Sequence, residues 1–326
     1  MTLDADTIVD RRRLRRKVTR WRVIAVVIAL IAIGGGAFAF YGRHHMNGGL
    51  ASSDFIARIT ISGIIRGDTD RVEALERLEK SKAKAVIIHI DSPGGTTAGS
   101  EQLNSALRRV ALKKPTVVVV DGLAASGAYI AAMASDHIIA QKTSLVGSIG
   151  VLFQFPNFTD LMKTVGVKME EIKSSPLKAA PNGFEPTSPE AHDAIAALVK
   201  DSYDWFKGMV GERRKLDGEA LDKVADGRVF TGRQGVENKL VDEIGDEKTA
   251  IAWLAKEKGI DAKTPVRDWQ LKDRFSDLSF LHLGMAALLD SIGLKSVAAH
   301  LAGAGALQTF DRLNLDGLLA LWHPPS

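Results

Sequence analysis

The sequence predicts an α/β protein with a parallel sheet and crossover helices, carried behind one membrane-spanning segment. Three observations predict it. Short apolar, β-branched runs alternate with stretches of helical period, and strands separated by helices pair in parallel. Glycine-containing turns follow several of those runs. Finally, Val23 to Tyr41 is a nineteen-residue run without a charge. As a helix it is about 28 Å long, close to a hydrocarbon core.

The N-terminal elements come first. Residues 1–22 hold eight Lys/Arg and three Asp, a local charge of +5 in a chain whose formal net charge is +4. The remaining chain is therefore close to neutral, so the high pI marks a tag and not a nucleic-acid surface. By the positive-inside rule this cluster holds the N-terminus in the cytoplasm and sends the rest to the other side. Trp21 and Tyr41 bracket the apolar run as interfacial aromatics do. Ala37-Phe38-Ala39 offers the small-residue pattern of a cleaved signal peptide, but the full spanning length and long charged leader favour a retained anchor. Residues 42–54 are polar and glycine-containing, a linker, and His44-His45 within it reads as a solvated pair.

The body then alternates. Phe55–Ser62 reads as a strand, Arg71–Lys80 as a helix and Ala85–Asp91 (AVIIHID) as a buried strand. Ser92–Gly95 reads as a turn, Ser100–Val110 as a helix and Thr116–Asp121 (TVVVVD) as a second buried strand. Ala125–Ala134 reads as a small-residue helix, and His137–Ala140 and Leu145–Leu152 as short strands. Val167–Lys173 is strand-like. Helices follow over Pro189–Arg213, with Ser188 as cap and Pro189 at the first position, then Gly218–Ala225 and Asp246–Lys258. From about Phe275, Leu278, Leu281, Met285, Leu288, Leu289 and Ile292 recur at helical spacing, an amphipathic packing or oligomer helix with no catalytic candidate.

Composition excludes several chemistries. Of the 326 residues 45% are hydrophobic, 25% are charged and none is cysteine. Disulfide scaffolds, thiolate zinc sites and cysteine nucleophiles are out. There is also no P-loop and no HExxH pattern.

Two loops can carry chemistry. Asp91-Ser92-Pro93-Gly94-Gly95 leads into a helix and can offer backbone N–H groups to an anion. Gly122-Leu123-Ala124-Ala125-Ser126-Gly127-Ala128-Tyr129 places a serine among small residues at a strand-to-helix junction. A serine there is either a helix cap or a nucleophile, and a nucleophile needs a base. His137 begins a strand, His89 points from a buried strand as a core histidine and His192 lies on a surface helix. A lysine base is the remaining choice, with Lys173 and Lys178 both in Glu171-Ile172-Lys173-Ser174-Ser175-Pro176-Leu177-Lys178. Spacing alone does not choose between them.

Five blocks in order, DSPGGTTAGSEQL, GLAASGAYIAA, SLVGSIGV, IKSSPLKAA and ADGRVFTGRQGVENKLVDEIG, resemble the signal peptide peptidase A family of serine proteases (family S49), over about residues 55–258. The resemblance implies a ClpP/crotonase-like fold and a Ser-Lys dyad in the short, single-domain bacterial form. It implies Ser126 as nucleophile, Lys178 as general base and Ser148 as the hydroxyl that positions the lysine. Backbone N–H groups of Gly94, Gly95 and Gly127 would form the oxyanion hole. Asp91 stands where many relatives have asparagine, a charge without an evident partner. The setting of Lys178, after Pro176 and Leu177 and before two alanines, also suits a neutral base better than that of Lys173, whose neighbours are charged.

The implied domain plan is a basic cytoplasmic tail (1–22), anchor (23–41), linker (42–54), protease domain (55–260) and helical extension (261–326). The implied function is hydrolysis of remnant signal peptides through an acyl-enzyme, without cofactor or metal. The chain would sit in the bacterial inner membrane with its catalytic domain on the exported, periplasmic side, in a homo-oligomeric ring and without nucleic-acid partners. Alternatives are a related protease acting on intact membrane proteins, a catalytically silent membrane scaffold and a crotonase-type acyl-CoA enzyme.

Overall fold

The computed structural model describes residues 54–271 and 319–322. The chain opens with β1 (Phe55–Ser62), α1 (Thr69–Glu79), β2 (Ala83–Ser92), β3 (Gly94–Thr96), α2 (Thr97–Ala111) and β4 (Thr116–Ala125). It continues through α3 (Gly127–Ala132), β5 (His137–Ala140), β6 (Leu145–Gly147) and α4 (Thr159–Val165). Then come α5 (Pro189–Arg214), α6 (Gly218–Val224), β7 (Val229–Thr231), α7 (Gly232–Glu237), β8 (Glu243–Ile244), α8 (Glu247–Lys258), β9 (Val266–Asp268) and β10 (Leu319–Leu321).

The main sheet has the order β7-β6-β4-β2-β1-β9, with β5 between β4 and β8. Every pairing is parallel except β6 with β7. β4 is long enough to serve two partners. Val117–Val120 pair with β5, and Leu123–Ala125 pair with β6. The site lies where the strand changes partner.

Alternate residues of β1, β2 and β4 feed two cores. Ile59, Val86, Ile88, Val118 and Val120 pack with α2, α3 and Phe206 of α5 on one face. Ile56, Ile87, Val117 and Val119 pack with Ala250 and Leu254 of α8 on the other. Burial on both faces is why these strands read as unbroken apolar runs. Helix starts are capped where expected. Ser188 Oγ accepts from Ala191 N–H at 3.1 Å, ahead of Pro189. Asp246 and Thr249 form a capping box on α8.

Four sequence readings change. Gly94–Thr96 is a short strand and not part of a turn, because its edges pair with Ile65 and with β10. Val167–Lys173 forms no regular element, since its backbone finds no neighbouring strand. Leu145–Leu152 is a strand only to Gly147, with Leu152 as an isolated bridge. In the segment assigned to a helical extension, the described regular elements are strands: β9 joins β1, and β10 joins β3. The helical repeat from Leu278 to Ile292 and the apolar run at 23–41 lie outside the described residues. Among the described residues no helix is long and apolar enough to cross a membrane.

Candidate active site

Ser126 sits between the end of β4 and the start of α3, and is 1% exposed. Its N–H donates to Gly147 O at 2.7 Å, which ties the junction to β6. Its backbone has φ 55° and ψ −118°, a conformation that costs an L-residue about 1–3 kcal/mol. Ser126 makes no side-chain cap on α3, so the helix-cap reading of this serine falls. The helix instead carries its own weight in the core, since all six of its residues are buried. Tyr129 is anchored by its hydroxyl, which donates to Leu240 O at 2.8 Å, and burial pushes the phenol pKa up.

Five described non-glycine residues have positive φ: Ser126, Ser148, Ala179, Lys215 and Lys239. Lys215 ends α5 and Lys239 follows the end of α7, where left-handed residues are common. The other three are the two candidate serines and the residue after Lys178. Strain of this kind collects at functional sites because surrounding structure must hold it.

The start of β3 is pinned by Ser92, whose buried hydroxyl donates to Gly63 O at 2.6 Å and accepts from Gly94 N–H at 3.2 Å. Gly94 N–H is thus engaged, which takes it out of the oxyanion hole assigned from sequence. Gly94 is needed for space. Its φ is +98°, and a methyl group there would lie 2.7 Å from Gly127 N. Gly95 pairs with Ile65 along one edge, through Ile65 N–H to Gly94 O and Thr96 N–H to Ile65 O. That geometry turns the Gly95 N–H to the opposite edge, toward β10. Gly127 N–H is the first of α3, where helix N–H groups have no intrahelical partner. Gly94 leaves the room that this close approach to Gly127 needs.

The lysines separate. Lys173 Nζ lies 2.6 Å from Glu171 Oε2 and 2.5 Å from Glu185 Oε1, and these bonds, Glu171 first, hold its pKa above the ordinary lysine value. It is held as a cation, as its charged neighbours suggest. Lys178 is exposed and makes no hydrogen bond or ion pair through Nζ with any described residue. No hydrogen bond joins its Nζ to Ser126 or Ser148. Ser148 itself is buried beside β6, its N–H donating to Arg228 O at 2.8 Å. A cavity of about 710 Å³ opens on the lysine segment, with Lys173, Pro176, Pro181 and Phe184 in its wall and Ser126 outside it.

The histidines serve elsewhere. His89 is half-buried and not an apolar core residue: Nδ1 is 3.0 Å from both Asp121 carboxylate oxygens, and Nε2 is 2.7 Å from Glu247 Oε2. His137 stacks on Trp253 at 4.6 Å. Asp91 is exposed and forms no ion pair with a described residue. Among the described residues no cluster of His, Asp and Glu could hold a metal ion.

Residues 108–261 match the model of peptidase family S49. "Putative protease slr0021" of Synechocystis sp. is 37% identical over 208 residues, covering 63% of this chain and 75% of that protein. The chain belongs to peptidase family S49. This S49 chain is also 31% identical to "Putative signal peptide peptidase SppA" of Enterococcus faecium, over 66% of this chain and 67% of that protein. "Protease 4" of Haemophilus influenzae is 32% identical over 60% of the chain, which spans only 34% of that longer protein. S49 membership and protease-named relatives make the protein a serine protease. Among solved structures, a ClpP1 mutant from Listeria monocytogenes aligns with a TM-score of 0.40 and 14% identity, over 58% of this chain and 91% of that one.

Sequence reasoning missed Ser92, Leu152 and β10. Ser92 lay inside a quoted motif and could have been found as a turn-pinning hydroxyl. The three residues of β10 carry no strand signature within a long apolar tail.

Proposed function

We propose that this S49 serine protease is a membrane-anchored signal peptide peptidase that hydrolyses remnant leader peptides through Ser126 and Lys178. One observation carries the reading: Ser126 is held in a strained backbone conformation at the start of α3, where Gly94 packs against the Gly127 N–H. That is the arrangement an acyl-transfer nucleophile requires, with donors aimed where negative charge develops. Lys178 Nζ, in its neutral form, takes the proton from Ser126 Oγ as the oxygen attacks the peptide carbonyl. The oxyanion is held by Gly95 and Gly127. Lys178 then protonates the leaving amine, and in the second half of the cycle it takes a proton from water to release the acyl group.

Lys178 lies on a solvent-facing segment, and no described side chain hydrogen-bonds the Ser126 hydroxyl. The same region exposes apolar side chains: Ile172 is 106% exposed, and Leu161, Val165, Leu177 and Phe184 are also open. Such a surface needs a cover, and a second copy that covers it also brings a lysine to a serine. We therefore read the dyad as shared between copies in a closed homo-oligomeric ring, in which a head-to-tail contact repeats. Apolar substrates suit the cleft. An apolar groove of about 460 Å³ adjoins Leu152, lined also by Phe153, Phe155, Ile195 and Val199.

The deciding experiment is product analysis with the full-length protein in detergent, offered a purified remnant signal peptide and a folded membrane protein. Cleavage of the leader, after small or apolar residues, is expected. Cleavage of the folded membrane protein alone would overturn the substrate assignment, and a preference for Arg or Asp before the cut would contradict the apolar site.

A further inference from the structure

The parallel sheet has two ends, and Ser126 lies at one of them, where β4 finishes. At the other end β1 starts at Phe55, β2 at Ala83 and β4 at Thr116, with Phe55 in register with Ala83 and Val86 with Thr116. α1 and α2 also finish there, and lysines come with them. Lys80 caps α1, Lys82 and Lys84 flank the first residue of β2, and Lys113 and Lys114 follow the cap of α2. Lys114 Nζ donates to Ser81 O at 2.8 Å and to Ala83 O at 2.9 Å, which joins the two lysine segments into one patch. Burial, and then the neighbouring charge of Lys84, lowers the Lys114 pKa from the ordinary lysine value.

Two carboxylates answer these five lysines: Glu79 lies 2.5 Å from Lys113 Nζ and Asp54 lies 3.3 Å from Lys84 Nζ, which leaves an excess of three positive charges. Nearby, Glu76 pairs with Arg109 and Glu73 with Arg77, while Asp136, bonded to the Thr116 N–H, stands near Arg213. Those groups leave the excess unchanged. Lysines at a helix C-terminus complement the helix dipole, which accounts for Lys80, Lys113 and Lys114 but not for Lys82 and Lys84. Among the charges stands Leu112, 76% exposed at the cap of α2. An apolar tip flanked by lysines matches an anionic bilayer surface, where the tip enters the headgroup boundary and the ammonium groups meet phosphate. A nucleic-acid backbone would take the lysines and leave Leu112 in water. The chain also enters the fold at this end. Residues 42–54, thirteen in all, separate Phe55 from the apolar run that ends at Tyr41, and a polar linker of that length spans about 20 Å.

We propose that this lysine-rich end of the sheet, with Leu112 at its tip, binds the anionic headgroups of the bilayer that holds the anchor. The inference rests on the membrane anchoring proposed above. A short tether makes a weak contact effective, because it keeps the patch at high local concentration beside the surface. Three excess charges at an anionic leaflet favour the docked arrangement by roughly 10²-fold, and salt screens that preference. Docking by this end leaves the Ser126 end of the sheet facing away from the lipid.

The chain has no cysteine, so Leu112→Cys can carry an environment-sensitive dye in the full-length protein. The labelled protein is reconstituted into vesicles of phosphatidylcholine, alone or mixed with phosphatidylglycerol. Asp70→Cys, exposed in the first turn of α1 and thus at the other end of that helix, carries the same dye as a reference. The dye at 112 should brighten and shift to the blue only with phosphatidylglycerol, and should revert in about 0.5 M salt. The dye at 70 should not respond. Adding Lys80→Glu and Lys82→Glu should cut the response at 112 by about tenfold or more, with peptide hydrolysis and carbonate-resistant retention unchanged. If the protein stays in the carbonate pellet and the dye at 112 ignores phosphatidylglycerol, headgroup binding is overturned and the anchoring reading stands. An equal response at 70, or a response in phosphatidylcholine alone, overturns a charge-selective face. A response to added duplex DNA and none to lipid makes the patch a nucleic-acid surface instead. Loss of the protein to the carbonate wash overturns the anchoring and this inference with it.

Discussion

Ser126, the proposed nucleophile, is held in place by its surroundings. The serine occupies a backbone conformation that glycine adopts freely, and it is kept there by Gly147 on one side and a buried helix on the other. Ser126→Ala should reduce turnover by about 10³-fold or more with the fold intact, read by peptide hydrolysis and circular dichroism. Lys178→Ala and Lys178→Arg should both be near that floor, since arginine does not deprotonate. Lys173→Ala should keep most activity, because its two carboxylate partners already hold it as a cation. Ser148→Ala should fall between. An inactive Lys173→Ala beside an active Lys178→Ala, both folded, would reverse the assignment. Gly94→Ala is the sharpest steric test. Its methyl group would meet Gly127 N at 2.7 Å on a backbone with φ +98°. It should lower kcat roughly 10²–10³-fold, as loss of an oxyanion donor does, and cost about 1–3 kcal/mol in thermal unfolding.

The elements explain why these residues stay in place. β4 changes partner from β5 to β6 before it reaches Ser126, so its last three residues are held by a strand that contributes nothing to its first half. α3 is short, and its position depends on tertiary bonds: Asn104 Nδ2 donates to Ile130 O at 2.5 Å, and the Tyr129 hydroxyl donates to Leu240 O. Tyr129→Phe leaves that buried carbonyl unpaired and should cost about 1–3 kcal/mol by chemical denaturation. Turnover should fall by less than for Gly94→Ala, because Ser126 itself is fixed from the β6 side as well. Equal stability of Tyr129→Phe and wild type would show that the bond does not anchor the helix.

The assembled protein should need more than one copy to work. If the dyad is completed across copies, Ser126→Ala and Lys178→Ala are complementary defects. Co-expressed, they should form mixed rings with partial activity, although each alone is inactive. No recovery in mixed rings verified by mass would place both groups in one chain. A strictly monomeric yet fully active preparation in light scattering would do the same. The basic cluster and apolar run at residues 1–41 predict membrane retention after carbonate washing and an active C-terminal reporter outside the cytoplasm. A soluble form beginning near Phe40 would instead show cleavage of that segment.

Much of this protein was legible in its residues. β1 spans Phe55–Ser62 as its alternation indicates, and the runs AVIIHID and TVVVVD mark the sheet centre. Ser126 and Gly94-Gly95 stand in motifs that a strand-to-helix junction explains. These features are local: period, β-branching and turn residues act over a few neighbours, so a linear reading recovers them. The tertiary structure alone decided which N–H groups remain free, since Gly94 is engaged by Ser92 only because Ser92 is itself held by Gly63. It also decided that Lys178 faces outward and that Ala320, from the far end of the chain, lies against Gly95. Hydrogen-bond partners drawn from distant segments leave no periodic trace in either segment. Their identity is settled when the sheet, the helices and the tail compete for the same backbone groups.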